Sequence, residues 1–90
     1  MGFKLTKKEV ETLGGRFAEM LLFGGKEVNP YKIRGLANRK DWKKAESYEK
    51  KQAIADIAQQ ARAELLKCGY NKELVEKKLK NLSATKEIFQ

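Results

Sequence analysis

Histidine is absent from the 90-residue chain, and cysteine and proline occur once each, as Cys68 and Pro30. Without histidine no side chain has an unperturbed pKa near neutrality, which excludes histidine-based catalysis. A lone cysteine without histidine partners cannot build an ordinary multi-ligand zinc site, nor can it close an intrachain disulfide. Long apolar runs are missing too. No stretch approaches the roughly 18–20 residues needed to span a bilayer, and the N-terminus lacks a secretory signal's apolar core and small-residue cleavage site. The expected compartment is therefore intracellular and reducing, cytoplasmic by default. The length suits one small domain over 1–90 and leaves no room for a nucleotide-binding α/β domain.

What is present is charge and helical periodicity: 41% of residues are hydrophobic and 36% are charged. Thr6 can cap a first helix, with Glu9 reaching back three residues later and Leu5 stapling onto Val10. Val10, Leu13, Phe17, Met20 and Leu21 then recur at three- and four-residue steps on one side. Gly14 and Gly15 interrupt this run, each at a cost of roughly 1 kcal/mol relative to alanine, so either tight backbone packing or a local break is expected there. Gly24 and Gly25 supply a stop signal. Asn29 and Pro30 read as cap and first residue of a short turn or helix carrying Tyr31, Ile33 and Leu36.

Asp41 can cap a helix reaching as far as Cys68. Its apolar stripe of Ile54, Ile57, Ala58, Ala61, Leu65 and Cys68, projected backward, meets Lys43, Ser47 and Lys50, so a break or bend near Ser47 is expected, with Ser47 capping the second piece. As the end of that stripe, Cys68 reads as a core residue. After Gly69, Asn71 can cap a last helix with Leu74, Val75, Leu79 and Leu82 on one side and Lys78 at its edge, Tyr70 stapling onto Val75. Residues 83–90, with Ile88 and Phe89, read as a flexible or docking tail. No strand is supported. The expectation is an all-α, compact small domain of three to four helices, whose thin core a homodimer could complete.

The chain carries 20 Lys and Arg against 12 Asp and Glu, a net charge of +8. Segment 31–51 alone holds eight basic and three acidic residues, so more than half of the excess lies in less than a quarter of the chain. On one continuous helix Lys40, Lys43, Lys44, Lys50 and Lys51 fall within about 120 degrees of one another, with Trp42, Ala45 and Tyr48 largely opposite. Arg34 and Arg39 precede them. Such a face suits the phosphates of DNA or RNA, with arginine adding bidentate bonds, although charge runs are also the ordinary dress of a solvated helix. Trp42 and Tyr48 read as core or protein-interface anchors that could also stack on exposed bases. No base-reading constellation stands out.

The stretch Leu65, Leu66, Lys67, Cys68, Gly69, Tyr70, with Val75 and Leu79, resembles the first helix, Gly–aromatic loop and second helix of ubiquitin-associated domains. The resemblance covers under a quarter of the chain. It would imply a three-helix domain that binds ubiquitin. Cys68 stands where that family commonly has methionine, and the residues after Leu82 are too few for its third helix, so no family assignment follows.

Enzymatic chemistry is not expected. Cys68 lacks an activating histidine, and Glu9 with Glu11, or Glu46 with Glu49, sit in ordinary helix-surface surroundings. The glycines precede no lysine and hydroxyl residue of the kind that completes a phosphate loop. No cofactor or metal is implied. The expected function is non-enzymatic binding through Arg34, Arg39, Lys40, Lys43, Lys44, Lys50 and Lys51, with DNA or RNA as partner and a regulatory role by covering a surface. An adaptor or inhibitor docking on an acidic protein surface is the alternative. Membrane association ranks low because the apolar payload beside the lysines is small.

Overall fold

The computed structural model describes residues 3–23 and 28–80. The Gly24–Gly25 stop, Leu82 and the 83–90 tail lie outside the described residues. Among the described residues four α-helices follow one another: α1 (Lys7–Phe23), α2 (Lys40–Lys44), α3 (Ser47–Lys67) and α4 (Lys72–Lys80), with a 3-10 turn, Pro30–Lys32, between α1 and α2. No strand occurs among the described residues. The all-α fold of a compact small domain is therefore as expected.

Local chemistry explains most of the boundaries. The Thr6 N–H donates to Glu9 Oε1 (2.9 Å) and the Glu9 N–H to Thr6 Oγ1 (3.1 Å), the reciprocal box that starts α1. Asn29 Oδ1 accepts from the Tyr31 N–H at 2.9 Å, with Pro30 leading the 3-10 turn. At the end of α3 the Tyr70 N–H donates to the Leu65 carbonyl and the Gly69 N–H to the Leu66 carbonyl, each at 3.1 Å. This Schellman closure requires a left-handed residue between them, which Gly69 supplies at φ +92°. Asn71 Oδ1 accepts from the N–H groups of Glu73 and Leu74 to start α4.

The chain does break ahead of Ser47, but Ser47 is not the cap. Glu46 holds that position, with its N–H donating to Glu49 Oε1 at 2.9 Å, and Ser47 is the first residue of α3. Asp41 likewise lies inside the first turn of α2, whose cap position is Arg39. At α2 the Asp41 carboxylate bonds the Trp42 N–H from within the turn and Arg39 makes no side-chain cap bond, whereas Glu46 and Glu49 form a capping box at the start of α3.

The core is built on α1 packed against α3, with the 3-10 segment and α4 applied to α3. Leu13, Phe17 and Leu21 from α1 meet Ile54, Ile57, Ala58, Ala61 and Leu65 from α3, while Ile33, Leu36, Trp42, Val75 and Leu79 close the sides. Fully burying one such large side chain is worth about 1.5–3 kcal/mol, against about 0.2–0.5 for an exposed pair such as Glu73 with Lys77, so packing rather than surface charge holds the helices together. Arg62 Nε lies 2.8 Å from Glu76 Oε1 without the alignment of a hydrogen bond, an ion pair that adds a charge contact between α3 and α4.

Cys68 departs from the expected stripe. It is exposed, because α3 ends there and the chain turns away at the position where another helical step would have reached the core. Leu74 is also exposed, beside the buried Val75.

Gly14 and Gly15 lie within a continuous α1, and only one of them is needed for packing. A Cβ on Gly14 would come within 2.4 Å of Gln60 Cγ, 2.6 Å of Gln60 Cβ and 3.3 Å of the Ala61 backbone nitrogen, whereas one on Gly15 would meet nothing within 4 Å. Gly14→Ala is expected to destabilise the fold by about 1–3 kcal/mol through overpacking, and Gly15→Ala to stabilise it by about 0.5–1 kcal/mol through helix propensity. Urea denaturation of the two variants checks this; the same sign for both would contradict it.

Candidate functional site

The basic segment is divided over two helices. In α2, Trp42 turns inward and is 4% exposed, its ring 5.4 Å from that of Phe3 in an edge-on arrangement and 6.1 Å from that of Tyr31. Lys40, Lys43 and Lys44 share the opposite side by their three- and four-residue spacing, and all three are exposed. No carboxylate among the described residues forms an ion pair with them. A helix of five residues is too short to hold its shape alone. The buried tryptophan is what fixes the direction in which these lysines point.

Lys50 and Lys51 belong to the first turn of α3, so the single helical face expected for all five lysines does not form as one helix. Lys51 is exposed, whereas Lys50 is half-buried with Nζ 5.7 Å from the centre of the Trp42 ring, a cation–π contact across the break. The pair expected to act as interface anchors also separates. Trp42 belongs to the core, and Tyr48 stands 73% exposed at the start of α3.

Arg39 has a different occupation from the lysines. Its Nη1 donates to Glu9 Oε2 on α1, its Nε and Nη2 donate to the two carboxylate oxygens of Asp41 at 3.0 and 2.6 Å, and its guanidinium carbon lies 5.4 Å from the centre of the Phe3 ring. It clamps α2 to α1. The Thr6 backbone N–H, with added help from the Thr6 hydroxyl and Arg39, holds the Glu9 carboxyl below its ordinary pKa. The Arg39 guanidinium does the same for Asp41. Glu49 performs a parallel task at the other end of the segment, accepting from the N–H groups of Phe3 and Glu46 and so tying the N-terminal arm to α3. Glu9 and Glu49, each one member of a carboxylate pair noted in the sequence, are thus engaged in holding backbone.

Arg34 is exposed in the turn before α2. Its backbone carbonyl accepts from Arg16 Nη1 of α1 at 2.7 Å, and the Arg16 guanidinium covers Gly35, where a Cβ would lie 2.1 Å from Nη1. Gly35 adopts φ +86°, a backbone conformation that favours glycine, and a side chain there would displace the Arg16 guanidinium. No motif in the sequence points to Arg16; its trace is the glycine at 35. Comparison with protein-family models, curated proteins and solved structures finds no match for this chain. No helix of the described residues is long and apolar enough to cross a membrane.

The clamp has a definite pH signature. Both carboxylates are held low, so the stability they add is complete above the ordinary carboxylate range and is lost as pH falls through their lowered values. Arg39→Met is expected to cost roughly 0.2–1 kcal/mol near neutral pH, the range for solvent-screened ion pairs. The difference in urea midpoint between wild type and variant should shrink as pH falls below the ordinary carboxylate range. A difference that stays constant with pH would assign the effect to packing on Phe3 instead.

Proposed function

We propose that this chain is a non-enzymatic binding protein that contacts the phosphates of DNA or RNA through the exposed lysines of α2. The observation that carries the reading is the display of Lys40, Lys43 and Lys44 on one side of a helix whose other side is anchored by Trp42. Three ammonium groups without carboxylate partners among the described residues, set within a segment of net charge +5, favour a polyanion that releases its counterions on contact. Arg34, Lys50 and Lys51 flank the contact surface, and Arg39 supports it by holding α2 in place. Lysine is a compact point charge and not a planar fork, so the contact favours phosphate over base edges and tolerates sequence. Coverage of a nucleic-acid surface is the form in which such a domain would regulate a larger machine.

The test is binding of labelled double-stranded DNA, single-stranded DNA and structured RNA across a salt series, by wild type and by the Lys40→Gln, Lys43→Gln, Lys44→Gln triple variant. Wild type should bind more weakly as salt rises, and the variant should lower the slope of log affinity against log salt by roughly 2–3 while keeping its melting temperature. Absence of binding even at low salt would overturn the reading in favour of an acidic protein surface. An unchanged slope would move the contact away from α2.

A further inference from the structure

A solvent-open groove of about 600 Å³ lies between α1 and the turn before α2, lined by Arg16, Glu19, Met20, Phe23 and Arg34. The four α1 residues recur at three- and four-residue steps and so form one side of the helix, away from the Leu13, Phe17 and Leu21 side that packs into the core. Two features of the groove are without a counterpart among the described residues. The Phe23 ring is 81% exposed, more than any other large apolar side chain among the described residues. Arg16 and Arg34 form no ion pair with a carboxylate among the described residues. Arg16 is nonetheless held in position, by the Arg34 carbonyl and by the bare backbone of Gly35.

We propose that this groove seats one unpaired nucleotide of a single strand, with its phosphate between Arg16 and Arg34 and its base stacked on Phe23. The proposal rests on the phosphate-contact reading and names the form of nucleic acid. Guanidinium groups suit phosphate oxygens by shape and charge, and an exposed aromatic ring offers the flat apolar surface that a base requires. A duplex keeps its base faces within the stack, so only an unpaired base can use the ring. Met20, half-buried beside the ring, extends the apolar floor, and the Glu19 carboxylate can accept from a base N–H group.

The experiment compares a short labelled oligothymidylate strand with a duplex of equal length, using wild type, Phe23→Ala, Phe23→Tyr, Arg34→Gln and the α2 triple-lysine variant. Wild type should prefer the single strand. Phe23→Ala should weaken single-strand binding about tenfold and leave the duplex unchanged, while Phe23→Tyr retains the preference. Arg34→Gln should weaken the single strand more than the duplex. Because Phe23 is exposed, its loss leaves the core intact, which an unchanged melting temperature verifies. Equal effects of Phe23→Ala on both ligands, or none, would overturn the groove assignment; a triple-lysine variant that still loses binding would then leave the phosphate reading standing. Binding of neither ligand by wild type would overturn both readings, and tighter binding of a phosphotyrosine peptide than of the strand would overturn the class of ligand.

Discussion

The approach of α1 to α3 at Gly14 is the contact on which the other packing depends. With the Gly14 backbone against Gln60 and Ala61, the two longest helices lie close enough for Phe17 and Ile57 to lose all contact with solvent. A small core has little apolar surface to spare, and widening this one seam would loosen most of it at once. The 3-10 segment and α4 both pack on α3, so they take their positions from the same pair. The short α2 stands further out and needs additional ties, which are the Trp42 ring below it and Arg39 at its entrance.

These ties divide the basic residues of one stretch of chain into two kinds. Arg39 faces Glu9, Asp41 and the Phe3 ring, so its charge is neutralised locally and its planar fork serves as a fastening. Lys50 lies over the Trp42 ring on the far side of the helix break. Lys40, Lys43 and Lys44 have no such neighbours, and their charge is directed outward. A count of basic residues treats all of these alike. Only the positions of two acids and two aromatic rings tell them apart.

Much of the fold could be read from local chemistry. The Thr6–Glu9 box, the Asn29–Pro30 and Asn71 starts and the Gly69 stop each depend on residues within a few positions, and each forms as their side-chain chemistry requires. The break ahead of Ser47 was legible because the apolar stripe of α3 fails when extended backward. The cap identities were less so, since Glu46 and Glu49 build the α3 box one place ahead of the serine, and Asp41 bonds backbone from inside α2, where Arg39 makes no side-chain cap bond. Cys68 was misplaced because a projected stripe does not know where its helix ends. The candidate groove was illegible for another reason. Arg16 and Arg34 are eighteen residues apart, and what joins them is a carbonyl and a glycine, neither of which leaves a charge or apolar pattern in the sequence.

Trp42 is the sole tryptophan of the chain and lies within the cluster formed by Phe3, Tyr31 and Lys50. Its surroundings therefore draw on the N-terminal arm, the 3-10 segment and α3, while its own backbone belongs to the lysine-bearing α2. Indole emission responds to the polarity of its surroundings and to a nearby ammonium group. The molecule thus contains a native optical reporter at the base of its most basic helix, so that undocking of α2 can be followed by fluorescence without attaching a dye to the lysine surface.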